Sequence, residues 1–297
     1  MIKNILIVGC GLIGSSLVRA IKSRNLSKNI YIYEKSKKNI LTTKRLKLGC
    51  KNLEISKNYI KFDFIVLCTP MSQYESVIKK IEKFIDQKTI ITDVGSTKVE
   101  SIKKLKKILT YKRNLIPAHP IAGSEVSGPQ YGNKNLFKGR WNIIIKEKGV
   151  NTNALRKIKA FWNKLGSKVI FMDANKHDII FSVTSHLPHL IAYNLVKTAT
   201  NFEKSNKKKL IEYSAGGLRD FTRIASSNEI MWRDIFFSNK LNMINVINLF
   251  IKNLELFKKL IKTNQNSRLV RFLTESKKVR KKIIKLKQDI DKPDFGR

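Results

Sequence analysis

Acidic residues are scarce in this chain. Its 297 residues hold 22 Asp and Glu against 60 Lys and Arg, a formal net charge of +38. Such an excess can mark a nucleic-acid or anionic-membrane surface. Here the basic residues are spread over nearly every expected helix and loop, and no basic stripe with interleaved aromatics stands out before the C-terminal end. The charge therefore reads as a composition bias, with attraction of a small anionic substrate as its consequence; neither nucleic acid nor membrane is expected as a partner. Cysteine is also sparse. Cys10, Cys50 and Cys68 have no metal-ligand spacing, which leaves reduced thiols and a cytoplasmic protein, with no disulfide framework. No apolar run approaches the length of a membrane span. The N-terminal apolar stretch is cut by glycines and followed by Arg19 without a small-residue cleavage site, so no targeting segment is expected.

What the chain does have is length and an apolar share of 42%, enough for a substantial core and two domains. Near its start stands Gly9-Cys10-Gly11-Leu12-Ile13-Gly14. The Ile/Leu/Val run Lys3 to Val8 precedes it, and Leu12 to Lys22 follows at helical spacing, so the glycines fall at a strand-to-helix turn. There Gly9 permits the turn, Gly11 lets a pyrophosphate approach the backbone, and Gly14 lets the helix close on the strand. The next strand, Ile30 to Tyr33, ends in Glu34, whose carboxylate can take the adenosine ribose hydroxyls and repels a 2′-phosphate. That favours NAD over NADP, with Lys35 and Lys37 acting the other way.

Further strands are expected at Phe62 to Cys68, Thr89 to Asp93, Asn114 to Ala118, Trp141 to Lys146 and Lys168 to Met172. Helices fill most gaps, at Gln73 to Phe84, Lys98 to Leu109 and Asn153 to Leu165. This alternation predicts an α/β class: a Rossmann-like, doubly wound parallel sheet over residues 1–172. From Asp173 the pattern turns almost wholly helical (Ala174 to Thr200, around Asn206 to Ile224, and more from Glu229 to Leu260), ending in a very basic stretch from Ser267 to Asp289, so residues 173–297 form a second, helical domain.

In an open parallel sheet, ligands bind beyond the carboxyl ends of the strands. Three polar loops fall at those ends: Thr69-Pro70, Gly95-Ser96-Thr97-Lys98 and His119-Pro120. His119 is one of four histidines and sits in a Pro/Gly-bounded loop, placed as a general base beside a nicotinamide. Ser96 either joins it or caps the following helix. In the helical half, Pro188 within His186-Leu187-Pro188-His189 should kink a long helix and turn polar groups toward the crevice. The two histidines lack a third ligand at workable spacing, so no metal is expected. Gly216-Gly217 reads as a hinge before Arg219, Asp220 and Arg223. A guanidinium there suits bidentate carboxylate binding, or else the face is solvated with Asp220 or Glu125 as partner.

Taken in order, these motifs resemble the prephenate/arogenate dehydrogenase family of tyrosine biosynthesis. The matching segments are the glycine turn, Asp93 to Lys98, His119 to Glu125, Ser185 to His189 and Asp220 to Ala225, with Met231 to Asp234 beyond. The resemblance implies a helical C-terminal domain that forms a homodimer, NAD as cofactor, His119 as base supported by Ser96, and Arg223 on a substrate carboxylate. Ser124, Glu125, His186, His189 and Asp220 become further expected substrate contacts. Two other readings stand beside it. A β-hydroxyacid dehydrogenase would place a catalytic lysine on the first long helix after the sheet, where Lys176 and Lys197 lie only near the ends. A basic nucleic-acid-binding protein on the same scaffold rests on charge alone.

Overall fold

The computed structural model describes residues 1–286 apart from 57, 58, 207, 208 and 210. Strands β1 (Ile2–Val8), β2 (Ser27–Tyr33), β3 (Lys51–Asn52), β4 (Phe64–Leu67) and β5 (Ile90–Asp93) form one parallel sheet in the order β3-β2-β1-β4-β5. Helices α1 (Leu12–Ser23), α2 (Lys37–Arg45) and α3 (Tyr74–Ile81) lie between them in the chain, and α4 (Val99–Ile108) follows β5. The alternation along β1 shows why both faces are covered. Ile5 and Ile7 pack with Leu17, Val18 and Ile21 of α1, while Leu6 and Val8 pack with Val77, Ile78 and Ile81 of α3. Apolar residues at consecutive positions are what a strand buried on both faces requires.

The expected sheet is not continuous. Beyond β5 the chain makes a single parallel bridge, Ile91 to Leu115, and then leaves. Pro117 has no N–H to extend that ladder. A second, three-stranded sheet follows, made of β6 (Ala118–Pro120), β7 (Trp141–Ile145) and β8 (Lys168–Met172). β6 runs antiparallel to β7, with His119 opposite Ile143, and β7 runs parallel to β8. His119 therefore lies within a strand rather than in the loop after one. Helix α5 (Thr152–Lys164) crosses between β7 and β8 and buries Phe161 and Trp162 in the α1 face of the core.

Asp173 caps α6 (Ala174–Phe181), its carboxylate accepting from the backbone N–H groups of Asn175 and Lys176. A π-helical turn, Ser182–His186, joins α6 to α7 (Leu187–Asn206). Pro188 produces this irregularity rather than a break: without an N–H it cannot bond the Thr184 carbonyl, and the widened turn lies just N-terminal to it. The resulting helix, Ala174–Asn206, has one window of mean hydropathy 1.3, so by length and composition it could cross a membrane, contrary to the sequence expectation. Its apolar stretch is interrupted by His177, Asp178, Ser182 and His186, all buried against the rest of the chain.

The helix expected over Asn206 to Ile224 is shorter; its positions 207, 208 and 210 fall outside the described residues. Helix α8 (Gly216–Ala225) starts at the glycine pair, so Gly216 and Gly217 are its first turn and not a hinge. The helical span expected from Glu229 to Leu260 consists of two helices that meet at Asn239, α9 (Glu229–Ser238) and α10 (Lys240–Lys262). Helix α11 (Asn266–Lys285) covers most of the basic stretch, whose positions 287–289 lie outside the described residues.

Candidate active site

The chain turns from β1 into α1 through Gly9-Cys10-Gly11. Gly9 has φ +88°, a left-handed conformation that side chains disfavour. A Cβ on Gly14 would collide with the Gly9 carbonyl, so the helix can close on the turn only with glycine there. Nothing lies within 4 Å of a Cβ built on Gly11, and the backbone there faces open space. Leu12 and Ile13 open α1 and present its N-terminal amides, a natural seat for phosphate. At the end of β2, Glu34 accepts hydrogen bonds from the N–H of Cys10 (2.8 Å) and of Ser36 (2.9 Å), which sets its carboxylate against the glycine turn. Thr69 lies across the same turn, near enough that its methyl would stand 2.9 Å from a Cβ on Gly9. Its buried hydroxyl has no protein partner. Pro70 starts the short turn at Met71–Gln73. A glycine cradle, an acid at the neighbouring strand end and an orphaned hydroxyl together fit a dinucleotide.

His119 is buried at the carboxyl end of the parallel sheet. Its Nδ1 lies 2.8 Å from His177 Nε2, and His177 Nδ1 lies 2.8 Å from Asp178 Oδ1. Asp178 also accepts from the backbone N–H of Lys98 (2.8 Å) and Val99 (2.9 Å), so it caps α4 from α6. These donors fix the protonation pattern. Asp178 is an acceptor, so His177 Nδ1 carries the proton. His177 Nε2 must then accept from His119 Nδ1–H, which leaves His119 Nε2 as the unprotonated nitrogen. Burial, followed by its neighbours His177, Lys98 and His186, holds His119 well below the usual histidine range. Phe181 covers both rings, with centroids 5.0 and 4.6 Å away. Lys98, with no exposed surface, pairs with Asp93 beneath them at 2.7 Å. Ser96 does not cap α4, because Asp178 takes those amides; among the described residues its half-buried hydroxyl has no protein partner.

From the helical side, His186 is wholly buried, and its Nδ1 lies 3.2 Å from Asn239 Nδ2. The amide donates, so the proton sits on Nε2, which faces the backbone of Ser96 but among the described residues makes no hydrogen bond of normal geometry. Burial pushes this ring down to about 4, with the backbone of Ser96 among the groups acting against the fall. His189 donates to the Ser185 carbonyl (3.0 Å) and stacks on Trp232 with centroids 3.8 Å apart. The buried Trp232 Nε1 also lacks a partner. Among the described residues no three His, Cys, Asp or Glu side chains are grouped to hold a metal ion. At the rim, Arg223 Nη1 stands 3.6 Å from Glu125 Oε1, and Ser124 donates to Glu125 Oε2 at 2.8 Å. Glu125 is held below the usual carboxylate range by its own backbone N–H, by Ser124 and by Arg223. The pair is a single long contact that leaves most of the Arg223 fork open. Asp220 is exposed and makes no hydrogen bond or ion pair among the described residues.

Residues 17–171 match the family model for the nucleotide-binding domain of prephenate dehydrogenase, and residues 173–275 match the one for its dimerization domain. The chain is 33% identical to a cyclohexadienyl dehydrogenase of Zymomonas mobilis, covering 97% of this chain and 98% of the relative. It is 31% identical to a prephenate dehydrogenase of Lactococcus lactis, over 94% of this chain and 77% of the relative. The crystal structure of prephenate dehydrogenase from A. aeolicus, in complex with hydroxyphenyl propionate and NAD+, superposes with TM-score 0.88 at 34% identity, over 95% of this chain and 99% of that one. The chain belongs to the prephenate dehydrogenase family.

Several residues of this site escape a reading of the sequence alone. His177 and Asp178 are the main omission, although they lie within two turns of the end of β8, and the strand-end logic that singles out Ser96 and His119 applies to them equally. Lys98 stands in the Gly95-Ser96-Thr97-Lys98 motif but reads there only as the start of a helix. Its burial depends on Asp93, which faces it across a loop no periodicity describes. Trp232 and Asn239 become visible only when α9 and α10 pack beside the π-helical turn.

Proposed function

We propose that this chain catalyses the NAD-dependent oxidative decarboxylation of prephenate to 4-hydroxyphenylpyruvate, a step of tyrosine biosynthesis, with His119 as general base. The observation that carries the base assignment is the His119–His177–Asp178 chain, which leaves an unprotonated Nε2 at the carboxyl end of the sheet. Gly9, Gly11, Leu12, Ile13, Gly14, Glu34, Thr69 and Pro70 would hold the dinucleotide. When bound, NAD supplies the acceptor for the hydride that leaves C4 of the substrate.

Prephenate is a cyclohexadienol with a carboxylate at C1 and a hydroxyl at C4. His119 Nε2 takes the hydroxyl proton while C4 is oxidised. The C1–carboxylate bond then breaks, CO2 departs, its bonding electrons complete the aromatic ring, and the C4 oxygen regains a proton from the imidazolium. Aromatisation supplies the driving force, so the protein orients the ring and moves one proton. The free Ser96 hydroxyl suits the C4 oxygen. Arg223 holds a carboxylate, and Ser124, Glu125, Asp220, His186 and His189 are further substrate contacts of this reading. The exposed apolar residues of α10, among them Leu249, Leu254 and Ile261, support a homodimer through the helical domain, and the same reading places the enzyme in the cytoplasm.

The test mixes purified protein with NAD and either prephenate or arogenate and follows reduced-nicotinamide absorbance. Turnover of prephenate is expected, and His119→Asn should lower kcat by about 10²–10⁴-fold with NAD affinity unchanged. Near-normal turnover by that variant would remove His119 from the mechanism. Absence of turnover by the parent with both substrates would overturn the assignment.

A further inference from the structure

We infer that Lys98 is a positioning residue for this reaction: it closes a ring of hydrogen bonds around the histidine base and faces that base with a fixed positive charge. The inference rests on the reading of His119 as the base.

The ring can be followed atom by atom. Lys98 Nζ donates to the Ala118 carbonyl at 2.6 Å. Ala118 is joined covalently to His119, whose Nδ1 meets His177 Nε2 at 2.8 Å. His177 meets Asp178 at 2.8 Å, and Asp178 Oδ1 accepts from the backbone N–H of Lys98 at 2.8 Å. The same lysine thus holds the base twice, through its side chain from behind and through its main chain by way of Asp178. The Ala118 peptide is clasped from both sides, because its N–H also reaches Asp93 Oδ1 at 3.3 Å. Asp93 Oδ2 is satisfied in turn by Lys98 (2.7 Å), Gly95 N–H (3.0 Å) and the Tyr74 hydroxyl (3.1 Å).

Stability alone does not explain this arrangement. Lys98 and Asp93 have 0% and 1% of their side chains exposed, and a pair of such depth gains little over apolar groups of the same shape once desolvation is counted. A nucleophilic role for the amine does not fit either, since Nζ is committed to two acceptors and has no exposed surface. What the pair uniquely fixes is the peptide that carries His119. The groups facing that ring are His177 and Phe181 of α6, His186 of the π-helical turn and Lys98 before α4. His177 and His186 are both depressed by burial, so Lys98, paired at 2.7 Å with Asp93, is the standing cation among them. Its charge disfavours an imidazolium at His119.

Lys98→Met removes the cation and the clasp but strands the Asp93 carboxylate, so it is paired with the double variant Lys98→Met/Asp93→Asn, which leaves no buried charge alone. Both should bind NAD as the parent does and keep the prephenate KM, while kcat falls by about 10²-fold, the scale of a misplacement of about 1 Å. The acid limb of kcat/KM should also move to higher pH, because the imidazolium is no longer opposed. A merely structural lysine would move neither limb nor kcat in a variant that still folds and binds NAD. A double variant with intact NAD binding, parental kcat and an unmoved acid limb would overturn the inference. His119→Asn measured alongside separates the two failures: if that variant turns over normally, the base assignment itself has fallen.

Discussion

Asp178→Asn is the sharpest probe of how the base is set. The carboxylate meets three donors: Lys98 N–H and His177 Nδ1–H at Oδ1, both at 2.8 Å, and Val99 N–H at Oδ2, 2.9 Å. Asparagine offers one oxygen and one NH2 group in their place. If the oxygen keeps Lys98 and His177, the NH2 group faces the Val99 N–H, donor against donor. If it keeps Val99, the NH2 group forces His177 Nδ1 to become an acceptor, His177 Nε2–H donates to His119 Nδ1, and the proton on His119 moves to Nε2. That tautomer presents no basic nitrogen to the substrate. Either arrangement costs a charge-assisted cap bond, about 1.5–3 kcal/mol, or a fall of about 3–12 °C in melting temperature. The second removes general-base catalysis, worth about 10²–10⁴-fold in kcat. Each arrangement gives up one cap bond at α4, Val99 in the first and Lys98 in the second, but only in the second does the buried NH2 group find an acceptor, at His177 Nδ1. The expected result is therefore a kcat loss in that range with NAD affinity unchanged, read by steady-state kinetics and by titration of the cofactor. A variant that melts lower but turns over like the parent would show that Asp178 serves only as a cap.

Arg223→Ala should lower kcat/KM for prephenate by about 10–100-fold, mostly through KM, because a carboxylate bound there would be present in both ground and transition states. The exposed contact with Glu125 is worth about 0–1 kcal/mol, so a large fall in melting temperature with KM unchanged would refute the binding role. Glu34→Gln should cost about 10–100-fold in kcat/KM with NAD and much less with NADP; equal use of both cofactors by the parent would mean that Lys35 or Lys37 offsets Glu34. His119, His177 and His186 are all depressed by burial, so the folded protein binds fewer protons than the unfolded chain below the ordinary histidine value of 6.5. Their contribution to stability is complete above 6.5 and shrinks as pH falls, for His186 down to about 4. Melting temperature should drop through that window, and the acid limb of kcat/KM should lie below 6.5; a limb at or above that value would contradict a buried neutral base.

The parallel sheet was legible because its information is local. Runs such as Ile5 to Val8 and Phe64 to Leu67 are buried on both faces, and such short runs of β-branched and leucine residues, ended by Gly9 and by Thr69-Pro70, suit a strand of a covered parallel sheet. The polar helix α2 carries little apolar periodicity, with Thr43 its sole buried residue, and nothing in composition marks it. The departure of β6 was illegible for a different reason. Leu115 to Ala118 reads as one strand, and only the pairing of Ala118 with Ile144, a contact made across the chain, shows that it changes sheets at Pro117.

The same distinction separates the found from the missed residues of the site. Gly9, Gly14 and Glu34 announce themselves because backbone geometry dictates residue type at fixed offsets along the chain. His119 announces itself as a scarce histidine just after an apolar run, although the structure sets it within β6. Lys98 carries no such sign: in a chain with 60 basic residues, another lysine at a helix start is unremarked. What distinguishes it is that its ammonium is wholly enclosed, and enclosure is a property of Asp93, Ala118 and Asp178 acting together. The pattern is physical and general. Groups that touch a ligand sit where the fold opens, so topology predicts them, whereas groups that aim those side chains sit where the fold closes and depend on partners brought from distant segments. The strong basic bias of the chain makes this acute, because it hides Lys98, which among the described residues is the one lysine with no exposed surface, among dozens that face water.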